Sequence, residues 1–464
     1  MPSSIHFLIT ACLLFATSAF AAGTPDQPVD KTLISAHANQ TIGRINHNLA
    51  GVSLGGGATT YLNPVYTRPL AEAGVRYVRL ETVTADHRKL YDPATRTWNW
   101  SQLDAEIEAI RAGGADIVAN IFYTPRFLAF HDDDRYFYSY PKDYAAWETW
   151  VEAIVRHVNI EKKYGIRYWE IGNEASGAHF FRAPMRDFWK YYESSARAVK
   201  RADPAALVGG IADNPNYPEL YGDFFNAAKR SGTPVDFVSF HWYASWARKG
   251  DTSPDLYFRF ARSLKELSRH RLGRDVPLFL TEWNCVGERP AEPRVKVGAY
   301  VGAAFYWMQE SPIDAAFLFR VQPYRDTLGS LYNAKGETGM VGRIFRMFSG
   351  LPEERINLVT VAPGVTGLAA RSGNDRIAIL LARFDPDRGN VVVDNTLAIP
   401  GHGLTGRYRL TLHLEDAATA DTYGERQPVE DRVLTLTPAT PVRVNLQLSN
   451  YSVAFLRLEK VDGK

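Results

Sequence analysis

The chain has 464 residues, 45% of them hydrophobic and 22% charged, with a net charge of +2. That length exceeds one ordinary core and implies about two to three domains, and the composition excludes a long disordered or low-complexity region. The near-neutral balance, with no Lys/Arg-rich run, argues against a nucleic-acid partner.

Residues 1–21 read as a cleavable export signal. Phe7 to Phe20 is an apolar run too short to span a bilayer, and Ala19-Phe20-Ala21 supplies a small-x-small cleavage pattern. Ile9-Thr10-Ala11-Cys12 has the outline of a lipoprotein box, but little apolar sequence precedes it and more follows. The expectation is a mature protein that is secreted or periplasmic, with no membrane-spanning segment. Cleavage would remove Cys12 and leave Cys285 alone, so no internal disulfide is expected.

From about residue 45 to 350, short apolar runs alternate with longer amphipathic ones, the pattern of repeated β–α units. Eight strands are predicted: Ala50–Leu54, Tyr77–Leu80, Asp116–Tyr123, Arg167–Ile171, Leu207–Ile211, Phe237–Trp242, Leu278–Thr281 and Ala315–Phe319. Helices are predicted over Asp143–His157, Asp187–Arg201 and Pro254–Ser268, with helix-ending glycines at Gly113-Gly114, Gly165 and Gly273. This count and size match an α/β protein built as a (β/α)8 TIM barrel. No Gly-x-Gly-x-x-Gly follows an early strand, which argues against a nucleotide fold.

Beyond about Leu351 the texture changes to short β-like runs separated by turn residues. They are Leu358–Val361, Ile377–Phe384, Asn390–Val393, Tyr408–Leu414, Val433–Leu436, Val442–Leu448 and Tyr451–Leu458, and they predict a C-terminal β-sandwich over residues 351–464. The segment 31–42 is a candidate further strand of that sandwich.

Two glutamates stand where a parallel barrel does its chemistry, at the C-terminal ends of strands. Glu174 closes Trp169-Glu170-Ile171-Gly172-Asn173-Glu174 past predicted strand four, and Glu282 closes Leu280-Thr281-Glu282 at the end of strand seven. Retaining glycoside cleavage needs two such carboxyl groups about 5–5.5 Å apart. One glutamate alone would more often be a surface charge; the joint placement favours catalysis. The Asn173 amide is suited to a sugar 2-hydroxyl, although a Gly-Asn turn is also common. His241 and Tyr243, ending strand six, are placed to orient or ionise a carboxyl. The 24 Tyr, 24 Phe and 10 Trp suit sugar stacking as well as a large core. No His/Cys/Asp cluster has metal-ligand spacing, so neither metal nor cofactor is expected, and Cys285 reads as a packed residue rather than a nucleophile.

The pairing of the Trp169–Glu174 motif with Thr281-Glu282-Trp283 resembles the clan of retaining (β/α)8 glycosidases, and within it glycoside hydrolase family 39, the β-xylosidase and α-L-iduronidase family. The resemblance covers about residues 30–460. It implies that Glu174 is the acid/base, Glu282 the nucleophile and Asn173 the 2-hydroxyl ligand, and His241 with Tyr243 matches the family's His-x-Tyr. Tyr123, in Tyr123-Thr124-Pro125-Arg126-Phe127-Leu128-Ala129, is similar to the aromatic start of the family's Phe-Met-Pro-x-x-Leu-Ala and would line the sugar pocket. Arg79 and Trp283, beside these motifs, join the candidate sugar contacts.

This chain departs from that family at two places. Where the xylosidases carry a Gly-His-Gly-like turn after strand two, it has Arg79-Leu80-Glu81-Thr82, which puts Glu81 in the imidazole's place. After strand eight it has Phe319-Arg320-Val321-Gln322 instead of a Trp with acidic residues. Arg320 fits a pairing with a uronate carboxylate and equally a structural arginine at the rim. The expectation is a retaining β-xylosidase acting on an oligosaccharide or polysaccharide. The alternatives are a hydrolase of an exopolysaccharide or uronic-acid glycan, and a non-catalytic carbohydrate-binding protein. The negative charge of Glu282 is expected to keep the Glu174 carboxyl protonated.

Overall fold

A computed structural model describes residues 32–55, 60–177, 179–247, 252–285, 293–323, 329–387 and 392–461. The export signal expected at residues 1–21 lies outside the described residues. Among the described residues, no helix is long and apolar enough to cross a membrane.

Eight parallel strands close into a barrel: Gly51–Ser53, Tyr77–Leu80, Asp116–Ile121, Tyr168–Ile171, Leu207–Asp213, Phe237–Tyr243, Leu278–Asn284 and Ala315–Phe319. Neighbours follow chain order, and the eighth strand closes on the first with Phe317 opposite Gly51. All eight predicted strands are present, with ends that differ by a few residues. They were legible because strands covered on both faces are continuous apolar runs.

Side chains that point inward are layered. Near the strand starts, Phe237, Phe279 and Phe317 form an inner cluster with Tyr168 and Tyr77 packed on it. The Phe279 ring centre is 4.9 Å from those of both Tyr168 and Phe237. Two residues further along these strands the interior turns polar, with Arg79, Glu170 and Ser239 fully buried. The aromatic layer therefore plugs the barrel and leaves chemistry to its C-terminal end.

One irregularity decides which residues reach that end. In the seventh strand Leu280 pairs with Phe240 while Glu282 pairs with His241, so Thr281 is an extra residue. A β-bulge of this kind reverses the inward–outward alternation. Without it, Glu282, three residues after inward Phe279, would face the helices. The fifth strand shifts register likewise between Ile211 and Asp213, and Ala212 there has a φ of 55°.

Helices wrap the barrel as the periodicity indicated. Tyr144–Val155 starts at Asp143, whose side chain accepts from the amides of Ala145 and Ala146, and it buries Trp147, Trp150, Ile154 and Val155. The helix runs on as a wider π turn over Arg156–Glu161. Helices Met185–Ala202 and Leu256–Leu272 cover the predicted stretches, the latter ending at Gly273 with a φ of 73°.

Apart from a short pair, Tyr91–Asp92 with Thr97–Trp98, the remaining strands form one nine-stranded sheet that encloses its own apolar core. Thr32–Arg44 belongs to it, antiparallel to Glu354–Thr360 and parallel to Val393–Ile399. The strand Val365–Ser372 was not anticipated, because its Gly367, Ala369 and Ala370 have weak strand preference. Of the run expected at Asn390–Val393 only Val393 falls in a strand, Val393–Ile399, and residues 388–391 lie outside the described residues. Helix Arg294–Gln309 joins the two halves: a side chain at Gly302 would meet Ala382 and Val453, and Tyr300 packs on Phe384 at 5.5 Å. Arg343 of helix Met340–Ser349 adds a buried two-bond ion pair to Glu415, 2.7 Å at each contact.

Candidate active site

Arg79, at the third position of the second strand, is the hub of the polar layer. Its Nε donates to Glu170 Oε2 at 2.6 Å, Nη1 to Glu282 Oε1 at 2.6 Å, and Nη2 to Asn173 Oδ1 at 2.9 Å. Its side chain has no exposed surface. Burial alone would disfavour the charge, but Glu170, Glu282 and Glu81 outweigh it and hold the guanidinium ionised. Arg79 was expected among the sugar contacts. The structure corrects this: its surface is spent on two carboxylates and an amide, so it positions residues that reach the pocket.

Glu170, from the same motif as Glu174 but not singled out by sequence, is fully buried. Its Oε2 also accepts from Asn120 Nδ2 at 2.9 Å. Burial works against its charge, yet Arg79 prevails and the carboxyl stays below the usual carboxylate range. The signal that could have found it is period two: Glu170 lies two residues after Tyr168 and so shares its inward face.

Glu174 and Glu282 meet where the motifs predicted. With His241, one ligand-capable atom of each lies within 4.8 Å of the others. Glu282 is gripped on both oxygens, by Arg79 at Oε1 and by the Tyr243 hydroxyl at Oε2, 2.6 Å away. Burial raises its carboxyl, and the Glu174 and Glu81 charges help to keep it raised against the pull of His241 and Arg79. Two short donor bonds of this kind favour the carboxylate.

Among the described residues, no guanidinium bonds to Glu174. Its Oε1 lies 2.9 Å from His241 Nδ1, and its backbone, with a φ of 52°, donates to Ala212 O at 2.8 Å. Burial first, and then the Asp213 carboxylate, push its carboxyl up to about 7. Asp213 is thus a raising charge that the sequence did not suggest, beside the mutual repulsion of Glu174 and Glu282. Asp213 is buried and accepts from both the amide and the hydroxyl of Ser176, which anchors the turn carrying Glu174. His241 is fully buried, which lowers its imidazole toward the neutral form.

The other predicted residues divide. Asn173 is half-buried, and because its Oδ1 is taken by Arg79 the Nδ2 is the donor left for a ligand. Tyr123 is half-buried, and burial first, then Tyr138 and the charges of Glu282 and Glu174, raise its phenol. Glu81 is buried, accepts from Ser53 Oγ and lies 3.9 Å from Arg79. Arg320 lies over the Phe319 ring at 5.7 Å and donates to Pro323 O at 3.4 Å. Trp283 is a correction. It is fully buried and packs on Tyr257 and Phe305 of the surrounding helices, because the residue after inward Glu282 must point outward.

Glu174, His241 and Glu282 have enough donor atoms for a cation. A cation there would stand beside the Arg79 guanidinium already bonded to Glu282, so the donor set does not fit a metal. Cys285 is buried and belongs to the apolar shell.

An eight-stranded parallel barrel with a carboxyl pair at its C-terminal mouth and a β-domain beside it defines the architecture of the barrel glycosidases. The family described as glycosyl hydrolases family 39 matches residues 57–310, and the chain belongs to that family. A β-xylosidase of Geobacillus stearothermophilus is 29% identical over 238 residues, covering 46% of this chain and 47% of that one. A β-xylosidase of Caldicellulosiruptor saccharolyticus is 25% identical over 312 residues, covering 62% and 59%. The chain thus spans about half the length of the first relative and under two thirds of the second. Among solved structures, a monomeric β-xylosidase from Caulobacter crescentus superposes with a TM-score of 0.78 at 20% identity, over 92% of this chain and 99% of that one. A glucosidase from Croceicoccus marinus gives 0.75 at 22% identity, over 93% and 100%. At those identities the likeness is one of fold.

Proposed function

We propose that the protein is a retaining glycoside hydrolase that releases xylose from β-xylosides and xylan-derived oligosaccharides. The observation that carries this reading is the carboxyl pair, with oxygens of Glu174 and Glu282 within 4.8 Å of each other. One oxygen from each glutamate this close favours direct attack by a carboxylate over the intervening water of an inverting enzyme, whose carboxyl groups stand about 6.5–9.5 Å apart.

In the first step the Glu174 carboxylic acid gives its proton to the glycosidic oxygen as Glu282 Oε attacks the anomeric carbon. The C–O bond to the leaving group breaks and a glycosyl ester forms on Glu282. Glu174, now a carboxylate, takes a proton from water, whose oxygen attacks the same carbon and restores the Glu282 carboxylate. Arg79 and Tyr243 hold Glu282 in line and ionised, and Asn173 Nδ2 is directed to the 2-hydroxyl, where a bond strengthens in the transition state. The choice of xylose rests on the β-xylosidases among the relatives. A uronate reading would need Arg320 to serve the sugar, whereas its described contacts are the Phe319 ring and the Pro323 carbonyl. Residues 1–21 would direct the enzyme across the membrane for this work.

The test is proton NMR of aryl β-xyloside hydrolysis. β-Xylose should appear before mutarotation; α-xylose appearing first would exclude the double displacement. A 2-deoxy-2-fluoro xyloside should leave its sugar covalently on the peptide containing Glu282.

A further inference from the structure

Glu174, partly exposed, and buried Asp213 line the inner part of a cleft of about 520 Å3. The cleft lies between helices Met185–Ala202 and Pro218–Ser231 and reaches the turn Ala244–Trp246. The chemistry above uses only its inner end.

Its walls have two characters. Phe180, Trp189 and Trp246 are half-buried, so each leaves apolar ring surface open to the cleft. Trp246 packs on Tyr243, with ring centres 4.9 Å apart, and this couples the wall to the side chain that grips Glu282. Among the described lining residues the charged groups are all of one sign: Glu219 and Asp223 are exposed, Glu174 and Asp213 lie further in, and no Lys or Arg is among them.

A proton donor must touch the oxygen that leaves, so a cleft opening from Glu174 continues in the direction of the leaving group. Aromatic rings with one free face favour a flat or apolar-faced partner. Carboxylates lining a low-dielectric cleft focus negative potential and repel anions.

We propose that this cleft is the leaving-group site, and that it selects uncharged or cationic leaving groups with an apolar face and rejects carboxylate-bearing ones. This rests on the glycosidase reading above and adds to it a rule about the part of the substrate that is not the sugar.

The test uses phenyl β-xylosides with para-methyl, para-aminomethyl or para-carboxymethyl groups, whose methylene insulates the phenol oxygen from the charge. The same three β-glucosides run in parallel. At low salt, kcat/KM for the methyl and aminomethyl compounds should exceed that for the carboxymethyl compound by roughly tenfold or more, and added salt should close the gap. Glu219→Gln combined with Asp223→Asn should narrow the ratio. Trp189→Ala should lower turnover of the aryl glycosides relative to the methyl glycoside. Equal kcat/KM for the three compounds in the unmodified enzyme, or a preference for the anion, would overturn the proposal without needing any variant. Turnover of the glucosides alone would move the sugar assignment and leave the leaving-group ranking readable. Turnover of neither series would end the glycosidase reading and this one with it.

Discussion

Arg79 bonds to Glu282 and Glu170 at once, 2.6 Å from each, and has no exposed surface. One cation thus serves the carboxylate proposed as nucleophile and a carboxylate that holds the cation in place. Removing one partner of a buried set leaves the others uncompensated, which costs about 3–5 kcal/mol.

Arg79→Gln should accordingly lower the urea midpoint by an amount equal to several kcal/mol and abolish measurable turnover. Adding Glu170→Gln to it should recover much of the stability and none of the activity. Recovery of activity would show that Arg79 does not position Glu282.

Tyr243→Phe removes one donor from the Glu282 carboxylate and changes little else in volume. A hydrogen bond to a charged group is worth about 1.5–3 kcal/mol, so kcat should fall by roughly 10–150-fold. Circular dichroism should show an unchanged fold. A loss confined to KM would place Tyr243 on the substrate instead.

Glu174 is raised in the folded state from 4.5 to about 7 by burial and then by Asp213. The folded state binds the extra proton, so this contribution to stability is complete below about pH 4.5 and is lost as pH rises through about 7. Its size is at most about 3 kcal/mol. Glu174→Gln should flatten that loss, read as the difference between the two proteins' urea midpoints across pH 4–8. It should also remove the alkaline limb of kcat/KM, which in the unmodified enzyme falls near 7 because the acid must be protonated.

Asp213→Asn removes the second contribution to that shift while keeping hydrogen-bond acceptance from Ser176 at one atom. The alkaline limb should move to lower pH by about half a unit to one unit. Ser176→Ala loosens the turn and keeps the charge, so it should lower kcat with little movement of the limb. If both variants move the limb equally, Asp213 acts through the turn and not through its charge.

Glu174→Ala should slow aryl xylosides with acidic phenols far less than those with poor leaving groups, because only the latter need the proton. Glu282→Ala should abolish turnover of both. A uniform loss in Glu174→Ala would reassign the acid.

Much of the fold was legible because barrel strands are continuous apolar runs and their helices keep a 3.6-residue period, and every predicted barrel strand is present. The sheet was read less completely. Val365–Ser372 is rich in small residues, and its pairing with Arg376–Phe384 supplies the stability that its local preference lacks. In the site, Glu174, Glu282, Asn173, His241 and Tyr243 could be named because they end strands next to turns. Trp283 was misplaced by the same adjacency, which says nothing about which face a side chain takes.

The sequence by itself determined which residues reach the C-terminal mouth of the barrel, since strand ends are set by local apolar runs and turn residues. Tertiary structure alone decided their surroundings. Pairing against the sixth strand creates the bulge at Thr281 that turns Glu282 inward and Trp283 outward. Closure of the barrel brings Arg79 to Glu170 and Glu282, and Asp213 close to Glu174, across separations of 91, 203 and 39 residues in the chain. Charge and burial act through space, so the protonation that distinguishes one glutamate from the other exists only once the chain has folded.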